Sequence, residues 1–598
     1  MNAVPIIIGA LAIFVLAYRL YFSFIAAKVA VINDSIEAPA SRLYDGQNYI
    51  PMNKWVVFGH HFAAIAGAGP LVGPVLAAQF GYWPGIIWIV VGAVMAGSVH
   101  DFVILVASVR HDGMSLVEIA KREISNLSGR TASLAVVIII VVALAGLGMV
   151  VVNALAESSW GTFTIAMTIP IALLMGMWMF RFRKGRTAEA TIIGVVLLFS
   201  ALIIGRYIPE SQYASWFTFD RKTLTILLAA YGFIASVLPV WLLLSPRDYL
   251  SSIMKLGVVG LLAIGIIIVA PNMKMPGFTT FVHGGGPIIS GKLYPYLFIT
   301  IACGAISGFH SLVSSGTTPK MLMRESHIRF IAVGSMLSEG MVSIMALIAA
   351  SSLFPLDYFM INVPVEKLQH ILPQLHAMGF TQTDLPALSS AVGEQIAGRT
   401  GGAVSLAVGM AQIFSSIPGL RSLMSYWYHF AIVFEALFIL TTIDAGTRIA
   451  RFILQEIGGK FYKPMGKTNW LPGSLITSFV VVICWAYFIY TGSVSTIWPM
   501  FGTANQLLAT LALAVGTSYI INNGKIKYAW ITILPLTFVG ITTITAGILN
   551  LKNLFIPQML IGTTHLQGLI NTVLTVVILL CVISVILDAV PRWIKARK

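Results

Sequence analysis

The sequence predicts an all-α polytopic membrane protein of about fifteen to seventeen transmembrane helices. Three observations predict it. Hydrophobic residues make up 58% of the 598 residues and charged residues only 10%, against roughly 25% charged in an ordinary soluble protein. The mean hydropathy is +0.89, and no soluble core hides that much apolar side chain beneath a polar surface. The apolar residues also fall into runs long enough to cross a bilayer. A soluble enzyme, a nucleic-acid-binding protein and a disordered chain are thereby excluded. Lys and Arg number 37 against 22 Asp and Glu, a net charge of +15. In a membrane protein that excess reads as cytoplasmic turns obeying the positive-inside rule. Cys303, Cys484 and Cys581 lie far apart in apolar runs, so neither a disulfide framework nor a zinc ribbon is indicated.

A crossing needs about 20 mostly apolar residues. Such runs lie at 4–24, 56–79, 84–109, 133–152, 163–182, 188–206, 223–243, 253–271, 296–318, 328–353, 424–446, 474–491, 498–520, 528–548 and 567–590. The first is long for a signal-peptide core and lacks a basic start, so it reads as a helix that stays. The run at 400–418 is shorter and ends at Ser-Ile-Pro-Gly (416–419).

Basic turns test this count. Dense clusters stand at Arg181–Arg186, at Lys320, Arg324 and Arg329, at Arg448, Arg451, Lys460, Lys463 and Lys467, at Lys525 and Lys527, and at Arg592–Lys598. Alternating crossings place all five on the cytoplasmic side if the N-terminus is outside and 400–418 does not cross. Residues 354–423 then form an external excursion with a re-entrant or surface helix, shielded by other protein. If 373–397 and 400–418 both crossed, the orientation would hold with seventeen spans, although 384–399 is polar for a crossing. The chain thus divides into an N-terminal helix and cytoplasmic linker (1–55), a transport core (56–446) and C-terminal helices (447–598).

Three spans are interrupted. In the second, Gly67, Gly69, Pro70, Gly73 and Pro74 fall mid-run. Proline removes a donor and frees a carbonyl one turn earlier, and glycine tolerates the unwound backbone. Such a break offers a half-helix N-terminus to an anion and free carbonyls to a cation. The seventh span carries Ser236, Pro239 and Trp241 around a proline kink. The ninth holds Ser307, His310, Ser311, Ser314, Ser315, Thr317 and Thr318 within twelve residues. Hydroxyls at that density suit a small hard cation, or cap their own backbone. Gly67, Ala68, Gly69, Pro70, Ser236, Trp241, Ser307, His310 and Ser311 are therefore the candidate substrate contacts. Ala66, Ser314, Ser315, Thr317 and Thr318 are the candidate cation ligands. A broken first core helix, a broken sixth and a hydroxyl-rich eighth resemble the two inverted five-helix repeats of LeuT/APC-type transporters.

Ionisable groups at mid-bilayer depth are costly and so point to function. His310, Glu339 and Glu435 share a depth, as a proton relay or a structural network would require. His61 and Asp101 flank the turn near Tyr82 at 21 and 19 residues, so their depths differ by only ~3 Å. With His60 and His100 they form either a polar helix-end cluster or a site for a transition metal such as zinc. No cofactor is obligatory, and either Na⁺ or H⁺ suits the coupling groups.

Four stretches resemble the carbon starvation protein A family. They are NKWVVFGHHFAAIAGAGPLVGPVLAA at 53–78, RHDGMSL at 110–116, GFHSLVSSGTTPK at 308–320 and WPMFGTANQL at 498–507, together with Asp101-Phe102. One position departs from the pattern, with His100 where many members carry Gln. The resemblance implies a prokaryotic inner-membrane transporter, importing small peptides during carbon limitation or, in some members, pyruvate with a proton. Both substrates end in a carboxylate that the half-helix at Gly69-Pro70 can take. Only a peptide needs a further partner for its amino group, which Glu339 or Glu435 can supply. A divalent-metal transporter using His60, His61 and Asp101 is the competing reading. An enzyme is not expected, since no HExxH, no Ser/Lys dyad and no soluble catalytic domain appear. The oligomeric state is left open.

Overall fold

The structure, a computed structural model, describes all residues except 46–48, 184–185, 239–241, 468–469, 563 and 597–598. Pro239, Trp241, part of the basic turn at 181–186 and the last two basic residues therefore lie outside the described residues. The fold is a helical bundle, and among the described residues no strand forms beyond two isolated bridges.

The bundle's helices, in chain order, begin with α1 (Val4–Ala30), α2 (Lys54–Ile65), α3 (Gly69–Phe80), α4 (Tyr82–Arg110), α5 (Asn126–Leu155) and α6 (Ser159–Met177). Then come α7 (Ala188–Gly205), α8 (Arg221–Val237), α9 (Leu244–Val269), α10 (Leu293–Thr300), α11 (Gly308–Gly316) and α12 (Arg329–Ser351). The last are α13 (Ala403–Ser415), α14 (Arg421–Gly459), α15 (Leu471–Thr491), α16 (Val494–Asn522), α17 (Trp530–Met559) and α18 (His565–Lys595). Short polar residues start many of them. Asn53, Ser115, Ser125, Ser158 and Asp220 each accept a hydrogen bond from the first turn of the helix that follows, and Ser493 with Thr496 forms a capping box.

Among the described residues twelve helices are long and apolar enough to cross a membrane, or thirteen counting α2–α3 as one span bent by 45°. The protein is therefore a multi-pass membrane protein. The expected count of fifteen to seventeen is corrected at two places, and both are interruptions. The seventh run is a helix of only 17 residues, α8, which ends where Leu238 turns extended. The ninth is split into α10 and α11, of 8 and 9 residues, by non-helical backbone at 301–307. The run at 400–418 becomes α13, 13 residues long. At about 1.5 Å per residue it spans ~20 Å, short of the ~30 Å hydrocarbon layer. It is buried and packed against α14, α12, α9 and α3.

The two ends of the bundle are held differently. At one end the first residues are stitched to the exit of α9, with Ala3 N–H donating to the Pro271 carbonyl at 3.0 Å and Met273 N–H to the Met1 carbonyl at 2.8 Å. At the other end the linker pairs with the loop after α11, Ile50 N–H to the Lys320 carbonyl at 3.0 Å and Met52 N–H to the Met321 carbonyl at 2.9 Å. There Arg110 also forks onto Glu325, at 2.9 and 2.8 Å.

A partly buried ion cluster ties the 354–423 excursion to the helices beneath it. Glu394 accepts from Ser158 Oγ at 2.5 Å, His429 Nε2 at 3.1 Å and Arg399 Nη1 at 2.6 Å. Burial pushes the Glu394 carboxyl up, but His429, Arg399 and Ser158 outweigh it and hold it down at about 2, against an ordinary value of 4.5. A carboxyl held low stabilises the fold above its ordinary range and loses that effect as pH falls toward the folded value. Glu394→Gln is therefore expected to lower the thermal midpoint at pH 7. The gap from wild type should narrow as pH drops from about 4.5 toward 2, read by thermal denaturation in detergent.

Candidate functional site

The first break is built by sequence chemistry. Gly67 N–H turns to the Ile65 carbonyl at 2.9 Å instead of continuing the helix. Pro70 has no N–H to give the Ala66 carbonyl. The carbonyls of Ala63 and Ala66 thus lose their helical donors, and the backbone restarts at Gly69. Both are taken by Lys255 of α9, whose Nζ donates at 2.7 Å to Ala63 and 2.9 Å to Ala66.

The second break faces the first. A Cβ on Gly69 would overlap Cys303, and one on Gly73 would lie 2.5 Å from the Thr300 carbonyl oxygen. Glycine at both positions lets α3 pack against the interruption between α10 and α11. Asn505 of α16 holds that interruption. Its Oδ1 accepts from Phe309 N–H at 3.0 Å, and its Nδ2 donates to Ser307 Oγ at 3.1 Å and Cys303 Sγ at 3.4 Å. Asn505→Ala strands the buried Phe309 N–H. A loss of about 1–3 kcal/mol is expected from an unsatisfied donor, seen as a lower denaturation midpoint together with slowed uptake.

The ionisable residues converge around α11. His100 Nδ1 lies 2.7 Å from Asp101 Oδ1, and His310 Nδ1 lies 2.9 Å from Asp101 Oδ2. On its far side His310 Nε2 is 3.0 Å from Glu339 Oε2, an ion-pair distance although off the line of a hydrogen bond. All four side chains are fully buried. His310, flanked by carboxyl groups at both ring nitrogens, is placed to accept a proton on one side and pass it on the other.

The other expected residues lie as follows. Ala68 precedes α3, and Ser307 is the residue before α11. Ser311 Oγ turns back to the Gly308 carbonyl at 2.6 Å, and Ser315 Oγ to that of Ser311 at 2.6 Å. Ser314 Oγ is buried without a partner among the described residues. Thr318 Oγ1 meets His61 Nδ1 at 2.7 Å, and Thr317 Oγ1 meets His60 Nε2 at 3.4 Å. The hydroxyl run thus meets the histidines of α2 and the start of the next loop, while the Ala66 carbonyl goes to Lys255. Ser236 sits at the end of α8, its carbonyl held by Arg451 at 2.9 Å. Glu435 is buried in α14, both oxygens without a hydrogen-bond partner among the described residues, seven residues from Thr442, whose Oγ1 lies 3.0 Å from where a Cβ on Gly67 would stand. Seven residues are about two helical turns, so Glu435 shares the face turned to the break, ~10 Å away. Among the described residues no group of three or more His, Cys, Asp or Glu is arranged to hold a metal ion.

Sequence reasoning missed Lys255, Asn505 and Cys303. Lys255 carried a signal: it is a lone lysine just inside the apolar run at 253–271. Asn505 stood within a quoted motif without a role.

A helical membrane bundle with two facing helix breaks and a buried chain of ionisable groups has the construction of a membrane transporter. The comparisons with known proteins narrow the class. The sequence profile of the carbon starvation protein CstA family matches residues 2–546, and the chain belongs to that family. It is 46% identical over 599 residues to the peptide transporter CstA of Bacillus subtilis, covering 100% of this chain and 98% of that protein. It is 46% identical over 565 residues to the peptide transporter CstA of Escherichia coli, covering 91% and 81%. It is 42% identical over 580 residues to the pyruvate/proton symporter BtsT of Escherichia coli, covering 91% and 81%. Among solved structures, the manganese transporter of Eremococcus coleocola aligns at 13% identity and a TM-score of 0.45 over 90% of this chain and 94% of that one. That likeness carries no argument about fold or cargo.

Proposed function

We propose that this chain is a proton-coupled secondary transporter that imports small peptides across a prokaryotic inner membrane, and not an enzyme. The observation that carries the reading is the buried series His100–Asp101–His310–Glu339, which joins α4, α11 and α12 beside two helix breaks. Its spacing suits proton transfer. The relatives named above support the substrate class.

The core is proposed to consist of two inverted five-helix repeats of the LeuT/APC kind. The helix paired with the break in α2–α3 is the broken α10–α11, in place of the seventh run, so two of the six helices between them, α4 to α9, stand outside the first repeat. Its halves pack on the two halves of the first, α10 on α3 and α11 on α2. Rocking of the repeats about these breaks gives alternating access. The end carrying the linker, Lys320, Lys525 and Arg592 is proposed as cytoplasmic by its basic excess, with Met1 outside and the C-terminus inside.

A second reading, pyruvate with a proton, is favoured by the BtsT relative and by the half-helix N-terminus at Gly69, which takes a carboxylate without needing an amine partner. Uptake of radiolabelled tripeptide and of pyruvate into proteoliposomes tests both. A pH gradient, alkaline inside, should drive saturable uptake that a protonophore collapses, whereas an inward Na⁺ gradient alone should not. Uptake of neither substrate under any cation gradient would overturn the proposal.

A further inference from the structure

The first break frees two carbonyls of the kind that bind a small monovalent cation, yet both are already occupied. Lys255 Nζ meets Ala63 O and Ala66 O from α2 and its exit at 2.7 and 2.9 Å. From α14 it meets the Phe438 carbonyl at 3.4 Å and Thr441 Oγ1 at 3.3 Å. The Phe438 ring lies under the same nitrogen, 4.3 Å from its centroid. Thr441 Oγ1 gives its own proton to the Phe438 carbonyl at 2.9 Å, so toward Lys255 it presents lone pairs. The side chain is 0% exposed. An ammonium has three donors and no acceptor, and the groups named here are all acceptors or a π-face.

We propose that Lys255 is a resident cation: its tethered ammonium fills the site that the helix break would otherwise offer to Na⁺. The inference rests on reading this break as the hinge of transport. Three elements are joined at the nitrogen: α9, which carries Lys255, α2–α3 through Ala63 and Ala66, and α14 through Phe438 and Thr441. Lys255 is therefore a positioning residue. It holds the unwound segment in register with two neighbours, and it supplies the positive charge without a bound ion.

The test reads Na⁺ at the break apart from transport. Purified wild-type protein in detergent should show the same thermal midpoint in sodium chloride and in choline chloride at equal ionic strength. Lys255→Ala should lower the midpoint in choline and regain several degrees in sodium, with saturable ²²Na⁺ binding that wild type lacks. Lys255→Met fills the space without charge. It should show no sodium response and take up substrate at least tenfold more slowly. Sodium-dependent stabilisation or ²²Na⁺ binding by wild type would overturn the proposal, as would wild-type uptake by Lys255→Met. If Lys255→Ala does not fold, the wild-type sodium comparison and Lys255→Met still decide it. Failure of all peptide and pyruvate uptake would refute the transport reading but leave the sodium result standing.

Discussion

Glu339→Gln is expected to abolish net uptake driven by a pH gradient while leaving exchange of labelled for unlabelled substrate. Glu339 ends the buried series, with Oε2 3.0 Å from His310 Nε2. Glutamine keeps the shape but carries no exchangeable carboxyl proton. A positioned acid–base group typically contributes ~10²–10⁴-fold in rate, so at least ~100-fold loss of gradient-driven uptake is expected. Exchange needs no net proton movement and should persist within a few-fold. Gradient-driven uptake by the variant at the wild-type rate would remove Glu339 from the coupling path.

The second large effect is structural. Asp101 receives two imidazoles, His100 at 2.7 Å and His310 at 2.9 Å, with no exposure to share the charge with solvent. Removing one partner of a buried charged network leaves the others uncompensated, a cost of about 3–5 kcal/mol. Asp101→Ala should accordingly lower the detergent denaturation midpoint more than Asn505→Ala does. Asp101→Asn, which can still accept one of the two bonds, should fall between wild type and Asp101→Ala. An Asp101→Ala protein as stable as wild type would show that the series is not a closed network.

The sequence made some of this architecture readable and hid the rest for a physical reason. Apolar runs mark helices because each must bury or face lipid along its whole length, so all fifteen runs carry a helix or a pair of half-helices. The break at Ala66–Gly69 was legible because Pro70 and the flanking glycines act locally. Depth was legible as well. His310 and Glu339, expected at one depth, approach to 3.0 Å. Rotation of each helix about its axis was not legible. Sequence order does not say that Asp101 turns to His310 while His61 turns to Thr318. It also does not say that Lys255 reaches a carbonyl 189 residues earlier, or that Asn505 reaches Ser307 across 198. These long-range pairs depend on which helices the bundle brings together, and they make up most of the site.

Proton movement coupled to substrate entry is the central claim, and it can be measured directly. Proteoliposomes loaded with a pH-sensitive dye, with no imposed gradient, receive tripeptide or pyruvate from outside. The predicted result is acidification of the lumen on addition of the transported substrate, lost in Glu339→Gln and in His310→Ala. Substrate entry without acidification, or acidification that survives both substitutions, would contradict a proton path through His310 and Glu339.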